Sequence, residues 1–286
     1  MYNLVIIGSG NLATHLTLAL HTSGMNIMQV YSPTASHASQ LADRVGAEPV
    51  SSLSLISRDA DAYIISIKDD AISSVLSALS PFPPASVVIH TAGSVPIDIL
   101  MPHTPHAAVL YPMQTFTKGR EVDFSVIPCF VESSDALSAH VVNALASSVS
   151  TRVVNLSSER RRRLHLAAVF ACNLTNHCYR LAERVMSSAG LDFSLLLPLI
   201  DETARKVTSL SPRDAQTGPM VRNDHTVMDR QMALIDDNLT REIYRLMAES
   251  IYRDSSGRRN APSCPFALPH LYVIIHASVL SILFRL

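Results

Sequence analysis

The sequence has few of the features that mark several large protein classes. Its four cysteines, Cys129, Cys172, Cys178 and Cys264, form no C-x-x-C pair. No secretion signal precedes them, so free thiols in a reducing compartment are expected. A signal peptide opens with a basic region, whereas Met1 leads almost at once into the strand-like "NLVII", so a cytoplasmic location is expected. Charge of one sign is also scarce: Lys and Arg total 23, Asp and Glu 24, for a formal net charge of −1. Such a balance gives no bulk reason to expect nucleic acid or an anionic membrane as partner. The one basic run, Arg160–Arg163, opens a helix that soon becomes apolar and is read as its solvated end. The longest apolar stretch, Leu271–Phe284, falls short of the roughly 20 residues of a spanning helix; a core or dimer-packing helix, or a tail of altered origin, is expected there. No metal set with ligand spacing appears among the 12 histidines, and no G-x-S-x-G elbow suggests a hydrolase.

What is present describes a globular protein. The 286 residues, 48% apolar and 16% charged, suffice for one large domain or two modest ones. Through about residue 155, short apolar β-branched runs alternate with helix-like stretches, which predicts an α/β doubly wound, Rossmann-type parallel sheet. The expected strands are Leu4–Ile7, Ile27–Tyr31, Ala62–Ile67, Ser86–His90, Val109–Tyr111, Ile127–Val131 and Arg152–Val154. From Ser157 to about residue 253 only helical spacing is found, beginning with one helix of about thirty residues from an N-cap at Ser157 or Ser158 to Gly190. The expected organisation is a nucleotide-binding domain over 1–155, an all-helical C-terminal domain over 156–253 for substrate and dimerisation, and an atypical tail over 254–286.

The stretch "VIIGSGNLATHL" carries the first chemistry. A strand runs straight into Gly8, which suits the tight turn, Gly10 lets backbone approach a pyrophosphate, and Ala13 allows close helix–strand contact. Gly8, Ser9, Gly10, Asn11, Leu12 and Ala13 are therefore expected to hold a dinucleotide's phosphates at a helix N-terminus. An NAD-preferring site places a carboxylate at the end of the second strand. Here "VYSPTASHASQ" has none, and Ser32 and Thr34 offer hydroxyls, so NADP is expected. The strand ends in "IISIKDDAI" and "VVIHTAGSVP" place Ile67, Lys68, Asp69, His90, Thr91 and Gly93 toward the nicotinamide side, although Asp69 could equally cap a helix and His90 could be a satisfied core histidine.

With these motifs the chain resembles bacterial Rossmann-like proteins that carry a C-terminal helical domain of unknown function 2520 and are grouped with NADP oxidoreductases. The resemblance continues through "AVLYPMQTF", "RLHLAAVFACN" and "DAQTGPMVRNDHTV" and covers roughly residues 3–253. It implies kinship with 6-phosphogluconate and β-hydroxyacid dehydrogenases, pyrroline-5-carboxylate reductases and deazaflavin-dependent NADP oxidoreductases, with a helical domain that commonly dimerises. In the hydroxyacid enzymes a lysine and an asparagine one turn apart act on the substrate. Asn173 matches the asparagine, but Val169 stands in the lysine's place, and Ala92 replaces the serine usual in the "HTAG" stretch.

On a regular helix His165 shares a face with Cys172 and Asn176, while Asn173 lies about 80° away. His165, Asn173 and His90 are the expected catalytic residues, and Gly93, Thr217, Arg222 and Asp224 the expected substrate contacts; an Arg222–Asp224 network fixing the loop is the structural alternative. The expected reaction moves a hydride between NADPH and a small carbonyl or imine compound, with a histidine supplying the proton. The alternatives are an NADP(H) sensor without turnover and an enzyme with a flavin or deazaflavin as second hydride partner.

Overall fold

The computed structural model describes residues 1–257. The expected tail therefore lies, apart from its first residues, outside the described residues, as does Cys264. The chain divides into two compact units, the first Met1–His177 and the second from Cys178 onward.

The first unit is built on an eight-stranded sheet in the order β3-β2-β1-β4-β5-β6-β7-β8. Its strands are β1 (Asn3–Ile7), β2 (Asn26–Tyr31), β3 (Glu48–Val50), β4 (Ala62–Ile65), β5 (Val87–His90), β6 (Ala107–Pro112), β7 (Cys129–Ser133) and β8 (Val153–Asn155). All pairings from β3 through β6 are parallel; β7 runs antiparallel to β6, and β8 parallel to β7. Each of the seven expected strands is present. The eighth, β3, is three residues, Glu-Pro-Val, at the sheet edge, where a proline costs no ladder bond.

Both faces of the sheet are covered, which is why β1 and β4 read as continuous apolar runs. Alternation divides β1 between two cores. Leu4 and Ile6 pack with Leu16 and Leu20 of α1 (Asn11–Thr22) and with Val141, Val142 and Leu145 of α4 (Ala136–Val149). Val5 and Ile7 pack on the other face with Ile72, Leu76 and Leu79 of α3 (Ile72–Leu79). Helix α2 (Ala35–Ala42) adds Leu41 and Ala42 to the first core. The strand order reverses at β1, with β2 on one side and β4 on the other, and in open α/β sheets ligands bind at such a point, outside the carboxyl ends of the strands.

After β8 the chain enters α5 (Ser158–Ala168), N-capped at Ser157, and continues through a π-helical turn, Val169–Leu174, into α6 (Thr175–Ser188). The chain then turns at Gly190, whose φ of +68° favours glycine. The expected long helix is thus present, with one wide turn that the sequence pattern did not reveal. The arginine run differs too: Arg161 is not solvated but 1% exposed. Its guanidinium is ion-paired to Glu132 on β7 and donates to the Val95 carbonyl, while the Glu132 carboxylate also accepts from the Ser158 N–H at 2.8 Å and hydroxyl at 2.6 Å. The start of α5 is therefore tied to the sheet by an ion pair and its hydrogen bonds.

The second unit continues with α7 (Leu197–Ser209), α8 (Pro212–Ala215), α9 (His225–Met232) and α10 (Asn238–Ser255). The starts of α8, α9 and α10 are fixed locally: the side chains of Ser211, Asp224 and Asp237 accept from Asp214, Val227 and Thr240 N–H groups. Among the described residues no helix is long and apolar enough to cross a membrane.

Candidate active site

The turn after β1 is the first element of the site. Gly8 has a φ of +125°, and a Cβ on it would stand 2.1 Å from the Ser66 carbonyl oxygen, so only glycine fits between β1 and the end of β4. Gly10 is different. Its φ of −71° and ψ of −174° suit any residue, and a Cβ there would meet no protein atom within 4 Å. It N-caps α1 without a side-chain cap, and no acidic residue lies in the first turn. The ladder begins with Thr14 N–H donating to Gly10 O, which leaves the N–H groups of Asn11, Leu12 and Ala13 ahead of it. Ala13 is 1% exposed and packs inward. An open cradle with free N–H groups and no competing carboxylate fits a pyrophosphate.

At the end of β2, Ser32 is buried and its Oγ accepts from Thr34 N–H at 3.4 Å, while Thr34 is exposed and N-caps α2. The first turn of α2 carries no acidic residue that would repel a 2′-phosphate. Beyond β4, Ile67 is half-buried, Lys68 exposed, and the Asp69 carboxylate accepts from the Ser94 hydroxyl.

A continuous set of contacts leads from the glycine turn to the candidate side chains. Ser66, against Gly8, accepts at Oγ from the Thr91 hydroxyl at 3.1 Å. Two residues on, a Cβ at Gly93 would lie 2.6 Å from His165 Nδ1 and 2.9 Å from Tyr111 Cζ. Gly93 is the floor on which these rings meet. Tyr111 Oη is 3.0 Å from His165 Nδ1, the rings standing edge-on at 5.9 Å. Tyr111 is on β6, and because β1, β4, β5 and β6 are parallel, all these residues lie at one edge of the sheet.

Both rings line a cavity of about 430 Å³ together with Met113, Gln114, Cys172 and Asn173. The π turn brings Asn173 round toward His165. One extra residue removes about 100° of rotation, so Asn173 returns to within roughly 20° of His165 instead of 80° away. Thr175 Oγ1 donating to Phe170 O, five residues back, belongs to the same widened turn. Val169, in the position of the hydroxyacid enzymes' lysine, also lines the cavity.

The other expected residues lie elsewhere. His90 is fully buried, its Nδ1 accepts from Ala92 N–H at 3.2 Å, and it does not line the cavity. Burial first, and the Arg161 charge second, lower its pKa to about 4, so it is neutral near pH 7. Thr217, Arg222 and Asp224 lie in the second unit. Thr217 and Arg222 are exposed, and among the described residues no Arg222–Asp224 ion pair forms; the Asp224 carboxylate instead caps α9 at Val227 N–H. Among the described residues no cluster of three or more potential metal ligands occurs. Tyr111 and the Arg161–Glu132 pair are the residues that pattern reading passes over. The available signal for Tyr111 was its place at the carboxyl end of a strand in a sheet that binds ligands there.

A mostly parallel open sheet with a glycine cradle at its switch point and a histidine-bearing cavity on the same edge defines a Rossmann-type dinucleotide-binding fold. Residues 3–93 match the family model described as NADP oxidoreductase, coenzyme F420-dependent, and residues 127–251 match the domain of unknown function 2520. A candidate NADP oxidoreductase of Bacteroides fragilis is 45% identical, with a TM-score of 0.84, over 88% of this chain and 98% of its own. The chain belongs to this family of NADP oxidoreductases carrying the domain of unknown function 2520, and its cofactor is NADP. A Thermotoga maritima protein is 22% identical, with a TM-score of 0.71, over 87% of this chain and 99% of its own. A reductive aminase of Aspergillus terreus, solved with NADPH and ethyl-5-oxohexanoate, is 14% identical, with a TM-score of 0.68, over 91% of this chain and 97% of its own. These two show likeness of fold. No curated protein matches the chain.

Proposed function

We propose that this protein catalyses hydride transfer between NADPH and a small, uncharged carbonyl or imine compound, with His165 as the proton donor. The observation that carries the reading is the cavity holding His165, Tyr111 and Asn173 at the sheet edge that also bears the glycine cradle. Gly8 to Ala13, with Ser32 and Thr34, hold the dinucleotide; when bound, it supplies the hydride that reduces the substrate carbon. His165 gives the accompanying proton to the substrate oxygen or nitrogen, and Asn173 orients that group through its amide. His165 is preferred to His90 because a fully buried neutral ring has no route to a substrate. Arg, Lys, Asp and Glu are absent from the described cavity lining, so a carboxylate or phosphate substrate would be desolvated there without a counter-ion. Imine reductases and a reductive aminase among the fold's neighbours agree with an imine or ketone substrate.

Two further readings rest on particular observations. Val169 in place of a lysine favours a sensor that binds NADP(H) without turnover. The coenzyme F420 in the matched family's description favours a deazaflavin as hydride partner. Exposed Leu195, Leu197, Leu199, Val207 and Leu210 in the second unit support a homodimer through helices of the 156–253 segment, with the nucleotide held by 1–155 in a cytoplasmic protein. Light scattering of the full chain tests the dimer. For the activity, NADPH absorbance is followed with a panel of cyclic imines, neutral ketones, keto acids and oxidised deazaflavin. Turnover of imines or ketones that falls at least about a hundredfold in His165→Ala is expected. Tight NADPH binding with no turnover of any compound overturns the enzyme reading in favour of the sensor.

A further inference from the structure

We propose that Tyr111 is a positioning residue that holds His165 in the tautomer bearing its proton on Nε2; this rests on the reading of His165 as proton donor. Sharing of the Tyr111 Oη–His165 Nδ1 contact admits two arrangements. In one, the phenol donates to an unprotonated Nδ1, and the imidazole proton sits on Nε2. In the other, Nδ1–H donates to the phenol oxygen, and the phenol O–H needs another acceptor. Tyr111 is 8% exposed, and among the described residues its hydroxyl has no hydrogen-bond partner besides His165 Nδ1. The first arrangement satisfies the phenol O–H with a protein partner, and a buried donor left unpaired is costly. Burial also pushes the Tyr111 pKa upward against the opposing charge of Arg161, so it remains a phenol, able to donate, at neutral pH.

The surroundings fix this contact from three sides. Gly93 leaves no room for a Cβ beneath either ring. Tyr111 sits at the end of β6, and its ring lies 6.3 Å from that of Phe130 on the neighbouring β7. Arg161, one helical turn before His165, ties α5 to Glu132; these are the charged groups set against the pair from the packed elements. His165 is part-exposed and lines the cavity, and its Nε2 has no hydrogen-bond partner among the described residues, so the nitrogen carrying the proton is the one left for a substrate. A histidine donor needs its second nitrogen held in this way, because the partner of one ring nitrogen decides which bears the proton.

The test is ¹⁵N-histidine NMR of the full chain, with His165→Gln locating the His165 signals by difference. The wild type is expected to show the neutral His165 ring with its proton on Nε2. Tyr111→Phe, which keeps the ring and removes only the hydroxyl, is expected to show both tautomers. It is also expected to lower kcat about tenfold with KM for NADPH unchanged. Equal tautomer populations in the two proteins overturn the proposal. If Tyr111→Phe fails to fold, the wild-type spectrum still decides, because a His165 protonated mainly on Nδ1 overturns it as well. Full turnover in His165→Gln would instead sink the proton-donor reading, leaving the tautomer measurement to judge Tyr111 on its own.

Discussion

The Arg161–Glu132 pair yields the most demanding prediction about stability. Arg161 is 1% exposed, and the Glu132 side chain only 17%. Glu132→Ala would leave a guanidinium in the interior without a counter-charge, and would also deprive the Ser158 N–H and hydroxyl of their acceptor. Removing one partner of a buried pair costs about 3–5 kcal/mol, whereas removing both is often close to neutral. The first unit should therefore lose about 3–5 kcal/mol in Glu132→Ala, equivalent to roughly 10–15 °C in Tm for a unit of this size. In Glu132→Ala/Arg161→Leu, at least half of that loss should be recovered. The chain has no tryptophan, so urea unfolding is followed by far-ultraviolet circular dichroism, with the two units allowed separate transitions. A single variant that loses under about 1 kcal/mol, or a double variant less stable than the single, would refute the idea that charge anchors α5 to the sheet.

Other expectations follow from the same geometry. His90 is held below its ordinary value of 6.5, at about 4, so its contribution to stability is complete above pH 6.5 and is lost as pH falls toward 4. Unfolding measurements between pH 7 and 4 should show that decline, of order 3 kcal/mol, and His90→Gln should flatten it; a pH-independent wild type contradicts the assignment. Gly8→Ala and Gly10→Ala should part company. The first drives a Cβ against Ser66 O at positive φ and should destabilise the fold by at least about 2 kcal/mol, while the second meets no protein atom, should cost no more than about 1 kcal/mol as a poorer N-cap and should weaken NADPH binding. Equal nucleotide affinity in wild type and Gly10→Ala would show that the space above Gly10 is not used by phosphate.

Much of the architecture could be read from the sequence because its causes are local and periodic. Buried parallel strands need continuous β-branched runs, and the glycine turn needs two glycines at fixed spacing, so β1, β2, β4 to β8 and the cradle stood out. β3 did not, because three residues with a proline carry no periodicity. The reactive cavity was harder for two physical reasons. The π turn at Val169–Leu174 changes the helical phase without changing composition, so Asn173 lies nearer the face of His165 than the 80° of a regular helix. The other reason is that burial is decided by distant partners. Arg161 resembles its three neighbours in the run until Glu132 is brought beside it, and the sequence left His90 open between a core histidine and a catalytic one until the sheet closed over it.

In the proposed complex, backbone N–H groups at the Gly8–Ala13 turn hold the phosphates of NADP at an edge that rejects no 2′-phosphate. Calorimetric titration of the full wild-type chain with NADPH and then NADH tests it most directly. NADPH is expected to bind, and to bind more tightly than NADH; no heat with either nucleotide, or a preference for NADH, would contradict it.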